Sequence, residues 1–247
     1  MINVQHFFHE STSTLSYVVW AESGDAVVID SALDYNADAN SYTTEYADSI
    51  VEFCKEYQLR VHLILETHIH ADHLTAGFYL KEKLNASTAI GECMENAPYD
   101  IKYADGDVLQ AGELAITAVH TPGHTPCDFV FKVDNMVFTG DTIFMPDFGT
   151  GRCDFPNGSA DALYTSITEK LYSLPDDTVI YVGHDYQPNS RELQFKTTVQ
   201  EQKNHNIHVR HDTSREDFVK FRTQRDATLQ EPKLLHQSIQ FNSTSNI

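Results

Sequence analysis

The segment ETHIHADHL, residues 66–74, carries three histidines and an aspartate within six positions. A single histidine is usually a core or surface residue, but neither solubility nor packing explains this density. His68, His70 and Asp72 alternate along a segment predicted to be extended, so they point the same way, and His73 follows where a helix is predicted to begin. The spacing predicts that four metal-binding side chains meet at one point. Because a short loop rarely completes a metal shell, further ligands are expected elsewhere.

Three more short motifs each follow a predicted strand, and each carries a metal-binding residue. They are HTPGHTPC (120–127) with His124, FTGD (138–141) with Asp141, and YVGHDY (181–186) with His184. A glycine comes directly before each of these residues, and glycine tolerates the positive φ of a sharp turn from strand to loop. Because loops at one edge of a layered sheet converge, we expect the three side chains to join the histidine cluster.

Each of these motifs alone has an ordinary explanation. TPGH can be a turn, TGD a strand end, and GHD a loop with a capping aspartate. The seven candidates in this order, each on a loop at a strand end, indicate a metal site instead. A carboxylate at Asp141 can bridge two cations, so the set accommodates one metal or two.

The composition is typical of a globular chain with one large core. The 247 residues are 41% hydrophobic, and no internal repeat or linker divides them, which favours a single domain over residues 1–247. The 36 acidic and 17 basic residues give a formal net charge of −19, which repels nucleic acids and anionic membrane surfaces. We therefore expect neither a nucleic-acid partner nor a membrane partner.

The N-terminal segment and the hydropathy favour a cytoplasmic location. MINVQHFFHESTST lacks the basic region and the apolar region of a secretion signal. No run of the sequence approaches the roughly 18 apolar residues that a membrane span needs.

Short β-rich runs and amphipathic helices are both predicted, which gives an α+β class. The strands are LSYVVW (15–20) and DAVVID (25–30) as a hairpin, VHLILET (61–67), short strands within 87–119, DFVFKV and MVFTG as a second hairpin (128–140), and TVIYVG (178–183). The helices are 41–57, 74–84, one that Ser159 caps with a buried stripe from Leu163 to Leu174, and 214–229. Strand 61–67 is nearly all apolar, so we expect both of its faces to be buried.

The sequence resembles the metallo-β-lactamase superfamily in the order of its candidate ligands. An HxHxDH motif is followed by a distant histidine, an aspartate and a final histidine. The resemblance covers nearly the whole chain and implies an αββα sandwich: two mixed sheets with helices on the outer faces and the metal at one edge. Residues from about 200 to 247 would form a helical and extended extension of the same domain. Asp141 stands where the antibiotic-hydrolysing branch has a cysteine, so hydrolysis of β-lactams is not expected.

Within the superfamily, four segments resemble the branch that contains glyoxalase II (hydroxyacylglutathione hydrolase) and the persulfide dioxygenases, also called sulfur dioxygenases. They are LETHIHADHLTAG, HTPGHTPC, FTGDTIFMPDFGTGRCDFPNGSADALYTSI and GHDYQP, and they resemble the dioxygenases more than the hydrolase. The implied reaction oxidises glutathione persulfide, or a related low-molecular-weight thiol derivative, with O2 to sulfite and glutathione.

The dioxygenase resemblance implies one Fe(II) per chain, bound by two imidazoles and one carboxylate that leave positions open for substrate and O2. These ligands are His68, His124 and Asp141. His70 would lie against this set. Asp72, His73 and His184 are expected to act in catalysis, either by binding a second metal or by hydrogen bonding around the first.

Two alternatives remain open. In a hydroxyacylglutathione hydrolase all seven residues bind two metals, zinc or a mixed pair, and a bridging water with a lowered pKa attacks a thioester carbonyl. The second alternative is a non-catalytic metal-binding protein, which the complete ligand set disfavours. The resemblance also leaves a homodimer open.

Arg152 and Tyr186 are the predicted substrate-binding residues. A guanidinium makes paired hydrogen bonds to a carboxylate, so Arg152 in GTGRCDF is suited to a carboxylate of glutathione. A structural ion pair with Asp147 or Asp154 is the alternative for Arg152. Tyr186 would hydrogen-bond the substrate or pack against its neighbours.

Overall fold

In the computed structural model, which describes residues 1–246, strands dominate and helices cover the segments between them. The strands are β1 Ile2–His9, β2 Thr14–Ala21, β3 Asp25–Ile29, β4 Ala32–Asn36, β5 Ser41–Thr43, β6 Arg60–Leu65, β7 Leu74–Thr75, β8 Ser87–Gly91, β9 Ile101–Tyr103, β10 Val108–Ala111, β11 Leu114–His120, β12 Phe129–Val133, β13 Met136–Phe138, β14 Val179–Tyr181 and β15 Lys196–Thr198. The α-helices are α1 Glu45–Glu56, α2 Gly77–Leu84, α3 Ala160–Thr165, α4 Val199–His205, α5 Arg215–Asp226 and α6 Leu235–Thr244.

The chain divides into two compact units. The first holds Met1–Ile116 together with the residues from Glu231 on, and the second holds Thr117–Gln230. Strand β11 runs across the division. The single domain over residues 1–247 stays a prediction.

The main sheet of the first unit has the order β1-β2-β3-β6-β8-β9. Its first three strands are antiparallel, and β3, β6, β8 and β9 run parallel to one another. The predicted hairpin between β2 and β3 is confirmed, and its turn contains Gly24 at φ +84°. Leu63, Ile64 and Leu65 of β6 are all buried, as the apolar run predicted, because helices α1 and α2 contribute to the same core as this sheet.

Two helices of the first unit begin later than the sequence predicted. Residues 41–43 form β5, which pairs with β4 in a small sheet, so α1 begins at Glu45 instead of near residue 41. Leu74 and Thr75 form β7 on the other side of β4, so α2 begins at Gly77 instead of Leu74. In both cases pairing with β4 satisfies the backbone that a longer helix would have used.

The second sheet has the order β10-β11-β12-β13-β14-β15. The predicted hairpin β12–β13 is confirmed, while β13 and β14 are parallel neighbours. Ser159 caps α3 as predicted, by accepting a hydrogen bond from the Ala162 amide, and the helix continues as a π-helical segment over Ser166–Leu171. Two mixed six-stranded sheets with helices confirm the predicted α+β class.

The C-terminal part is more helical than the sequence indicated. Ser214 caps α5, and this helix was predicted, whereas α4 and α6 were not. Among residues 1–246, none of the helices combines the length and the apolar character that crossing a membrane requires.

Candidate metal centre

The loop that follows β6, residues 66–73, gathers three buried histidine rings. The ring centroids of His68 and His70 are 4.2 Å apart, and those of His70 and His73 are 4.3 Å apart. The loop bends instead of continuing the strand, which corrects the expected extended segment. As a result, metal-binding atoms of His70, Asp72 and His73 lie within 4.8 Å of one another, in place of the predicted alternation of residues 68, 70 and 72.

A buried asparagine from the C-terminal helix α6 fixes this loop. The Asn242 amide donates to the carbonyl oxygens of His70 (2.9 Å) and His73 (3.0 Å) and accepts from the Thr75 amide (2.8 Å). These bonds satisfy backbone groups that the bent loop cannot pair by itself. Sequence reasoning missed Asn242, because nothing in the tail segment QFNST distinguishes it from a surface helix.

Two buried carboxylates orient His70. Its Nε2 lies 3.2 Å from Asp30 Oδ1 and 3.2 Å from Glu66 Oε2. Burial alone would lower the pKa of His70, but the two carboxylates outweigh it and raise that pKa well above the usual value. Since Nε2–H donates to the carboxylates, Nδ1 is the nitrogen at which a metal can replace a proton, and it is buried with no hydrogen-bond partner among residues 1–246. This is the arrangement of a histidine that awaits a metal.

The second unit brings its three predicted ligands together. Asp141 Oδ2 lies 3.4 Å from His124 Nε2, and Asp141 Oδ1 lies 3.3 Å from His184 Nε2. Asp141 follows β13 and His184 follows β14, and because these strands are parallel neighbours, their ends reach the same edge of the sheet. The convergence of these strand-end loops therefore occurs as the sequence predicted.

The loop that carries His124 is closed by Asp128. The carboxylate accepts from the Thr125 amide (2.6 Å) and the Thr125 hydroxyl (2.8 Å). Burial raises the pKa of Asp128 to about 6. One feature of the sequence marks Asp128, namely a charged side chain at the start of an otherwise apolar strand.

The tautomer of His124 follows from its neighbours. Its Nδ1 lies 2.7 Å from the carbonyl oxygen of Arg152, which can only accept, so Nδ1 carries the proton. The Nε2 lone pair then faces Asp141 Oδ2 at 3.4 Å. Two electron-rich atoms this close repel each other unless a cation lies beside them. A metal ion or a proton bound between His124 Nε2 and Asp141 Oδ2 would remove this repulsion.

Glycines allow the backbone to pass close to these ligands. Gly140 has φ +46°, as predicted for the residue before Asp141. Gly183 does not have a positive φ in the left-handed region, which corrects that part of the prediction. It is glycine because a Cβ there would lie 2.8 Å from the backbone of Gly140. A Cβ at Gly151 would lie 2.1 Å from the carbonyl oxygen of Asp141.

Arg152 and Tyr186 both lie beside this set. Arg152 makes a bidentate ion pair with Asp154 through Nε and Nη2, each at 2.5 Å, and its Nη1 donates to the Gln230 carbonyl at 2.8 Å. The two hydrogen bonds between these side chains lower the pKa of Asp154 and raise the pKa of Arg152. Tyr186 is 44% exposed and its ring stacks on the His184 ring at 5.5 Å between centroids.

Each unit thus carries imidazole and carboxylate donors in orientations that suit a metal. Imidazole nitrogen and carboxylate oxygen are ligands for iron and for zinc, so the donor types fit either. The buried Nδ1 atom of His70 and the oriented Nε2 atom of His124 are the observations on which this fit depends.

The chain is similar to proteins named as a metallo-hydrolase and as persulfide dioxygenases over most of its length. The sequence profile of the Metallo-beta-lactamase superfamily matches residues 95–184. A probable metallo-hydrolase of Burkholderia pseudomallei is 40% identical, over 98% of this chain and 92% of that protein. Human persulfide dioxygenase ETHE1, a mitochondrial protein, is 34% identical over 89% of this chain and 80% of that protein. The crystal structure of ETHE1 from Myxococcus xanthus has a TM-score of 0.84 and 32% identity, and the match covers 98% of both chains. The chain belongs to the metallo-β-lactamase superfamily, and its relatives include a probable metallo-hydrolase and a persulfide dioxygenase.

Proposed function

We propose that this protein is an iron-dependent persulfide dioxygenase. Glutathione persulfide, O2 and water would give glutathione and sulfite, with one water oxygen and both oxygens of O2 in the sulfite. The observation that carries the proposal is the His124–Asp141 pair, with the His124 lone pair turned toward the carboxylate, in a chain 34% identical to a persulfide dioxygenase. One further histidine would complete a set of two imidazoles and one carboxylate, which is the ligand set of non-haem Fe(II) oxygenases.

His68 is the residue that we assign as the third ligand, so that His68, His124 and Asp141 bind one Fe(II) per chain. When bound, Fe(II) in such a set offers open positions at which a sulfur ligand and O2 react together. The Arg152 carbonyl holds the proton on His124 Nδ1, which keeps Nε2 available as a ligand. His184 contacts Asp141 and orients it, and Asp72 and His73 provide hydrogen-bonding groups for substrate protons.

Arg152 and Tyr186 are the residues that we assign to substrate binding. Asp154 and the Gln230 carbonyl use three of the five N–H groups of the Arg152 guanidinium, and among residues 1–246 nothing accepts from the other two. Those two groups are suited to a carboxylate of a glutathione derivative. The exposed Tyr186 hydroxyl is a second donor beside His184.

A two-metal hydroxyacylglutathione hydrolase is the second candidate, with zinc or a mixed metal pair. The observation that favours it is the His70, Asp72 and His73 group, whose donor atoms lie close enough for one further cation. The similarity to a probable metallo-hydrolase points the same way. A non-catalytic metal-binding protein is disfavoured, because every ligand of the family pattern is present. A cytoplasmic location and a homodimer stay predictions.

The first test measures metal content and oxygen uptake. We expect protein purified without oxygen to contain about one iron per chain and to consume O2 when glutathione persulfide is added. Metal analysis and an oxygen electrode measure these quantities, and sulfite is quantified as the product. Two zinc ions per chain, no oxygen uptake and rapid cleavage of S-lactoylglutathione would overturn the proposal in favour of the hydrolase.

A second prediction concerns Arg152. We expect Arg152→Ala to raise KM for glutathione persulfide by about 10-fold or more while metal content changes little, because the lost hydrogen bonds are to a part of the substrate away from the metal. Steady-state kinetics and metal analysis measure the two effects. Arg215→Ala removes another arginine that pairs with an aspartate, Asp161, and serves as the control with an unchanged KM. A large loss of thermal stability with an unchanged KM would instead assign Arg152 a structural role.

A further inference from the structure

The loop of residues 149–154 lies against the second unit's metal-binding side chains. The Arg152 carbonyl accepts the proton of His124 Nδ1, and the backbone at Gly151 passes too close to Asp141 for any side chain. The position of this loop therefore decides which nitrogen of His124 is available to a metal.

Residues spaced four apart along α5 and beyond it hold the other side of this loop. Arg222 Nη1 donates to the Thr150 carbonyl (3.2 Å), and Asp226 Oδ2 accepts from the Cys153 amide (2.8 Å). Gln230 follows at the same spacing, and its carbonyl accepts from the Arg152 guanidinium (2.8 Å). Arg222 and Asp226 share one face of α5, because side chains four apart do so, whereas the Gln230 contact comes from the backbone beyond the end of the helix.

Arg222 and Asp226 form a buried ion pair. Arg222 is 3% exposed and Asp226 is 5% exposed, and the Arg222 Nε donates to Asp226 Oδ1 at 2.9 Å. A buried ion pair adds little to stability by itself, since desolvation of the charges offsets their attraction. The ion pair instead orients the two side chains, so that the Arg222 guanidinium faces a backbone carbonyl of the loop and the Asp226 carboxylate faces a backbone amide.

A half-buried histidine, His208, completes the contacts around Thr150. His208 Nδ1 accepts from the Thr150 amide at 3.0 Å. Burial, with the charges of Arg222 and Arg225, lowers the pKa of His208 to about 3, so the ring is neutral and accepts this hydrogen bond at all ordinary pH values. Both the amide and the carbonyl of Thr150 are thus fixed.

We propose that Arg222 and Asp226 are positioning residues for the metal centre. They hold the 149–154 loop so that the Arg152 carbonyl keeps the proton of His124 on Nδ1 and leaves Nε2 for the metal. The inference rests on the proposed role of His124 as a ligand, and it applies equally to one metal or two. It assigns to α5 a function in metal affinity, beyond its contribution to the fold.

The test compares Asp226→Asn with Ser214→Ala in the full-length protein. Ser214 caps the opposite end of α5, so its loss weakens the same helix without a contact to the loop, and we expect a melting temperature lower by about 2–4 °C with unchanged zinc affinity. Asp226→Asn should weaken zinc binding by about 10- to 100-fold, as changes behind a metal ligand typically do. Competition with a chelator measures the zinc affinity.

A second readout follows the His124 ring directly. Long-range 1H–15N spectra of the zinc-loaded protein distinguish the two ring nitrogens, and the spectrum of His124→Ala identifies the signals. We expect altered His124 signals in Asp226→Asn and wild-type signals in Ser214→Ala. Arg222→Lys keeps a cation beside Asp226 but loses the guanidinium that donates to the Thr150 carbonyl, so its zinc affinity should fall less than that of Asp226→Asn. It serves as the test if Asp226→Asn does not fold.

The outcomes separate this inference from the proposed function. Wild-type zinc affinity and wild-type His124 signals in the folded loop variants would show that α5 is only structural, and the inference would be wrong. If His124→Ala itself binds zinc as the wild type does, the assignment of His124 as a ligand fails, and with it the proposed function. Dioxygenase activity is not needed for either conclusion.

Discussion

His68→Ala is expected to lose most of its bound metal and with it at least about 1,000-fold in turnover, whereas His184→Ala should retain iron and lose about 10- to 100-fold. The difference follows from the proposed single-iron centre. In that centre His68 is a ligand, while His184 contacts Asp141 Oδ1 and only orients it. Metal-to-protein ratios after equal dialysis, together with the turnover number, measure the two effects.

His236→Ala is the control for this comparison. His236 is an exposed histidine in the first turn of α6, so we expect its loss to change neither metal content nor turnover. A two-metal enzyme gives a different result, because His184 is then itself a ligand. If His184→Ala releases one of two bound metals while the other stays, the assignment of one iron per chain is wrong.

The sequence predicted the parts of the fold that depend on local patterns. The β2–β3 hairpin follows from a glycine between two β-rich runs, and its turn does contain Gly24 at positive φ. The strand-end positions of Asp141 and His184 follow from apolar runs that stop at polar motifs. Helix α5 follows from the amphipathic spacing of residues 214–229.

The parts that could not be predicted depend on which distant segments meet. Asn242 holds the histidine loop from more than 160 positions away, and no local pattern marks such a residue. Asp226 lies on a helix whose buried polar face looks like an ordinary solvated one in the sequence. The late starts of α1 and α2 have the same origin, since strand pairing with β4 overrides helical periodicity there.

The largest expected loss of stability belongs to Asp30→Ala. The Asp30 carboxylate accepts from the Thr67 amide (2.7 Å), the Thr67 hydroxyl (2.9 Å) and His70 Nε2 (3.2 Å), and the residue is 3% exposed. Each buried donor left without an acceptor costs about 1–3 kcal/mol. Burial and the nearby Asp30 carboxylate both raise the pKa of the buried Glu66. Loss of Asp30 therefore also removes an electrostatic repulsion. We therefore expect the free energy of unfolding of the metal-free protein to fall by about 3 kcal/mol, measured by urea denaturation.

Asp30→Asn separates the stability of the fold from the orientation of His70. Asp30 has φ +50°, a conformation that asparagine also tolerates, and the asparagine carbonyl can still accept from the Thr67 amide, so most of the stability should return. The neutral amide no longer fixes the proton on His70 Nε2. In a two-metal enzyme, where His70 is a ligand, a chelator competition should then show zinc binding weakened by about 10-fold or more, whereas a single metal held by His68, His124 and Asp141 should keep its affinity. The exposed Asp38→Ala is the control, with both quantities unchanged. Wild-type zinc affinity in Asp30→Asn would mean that His70 is oriented by Glu66 alone or that it does not bind the metal. The second reading is the one that a single iron held by His68, His124 and Asp141 requires, so this variant bears on the number of metals as well as on the fold.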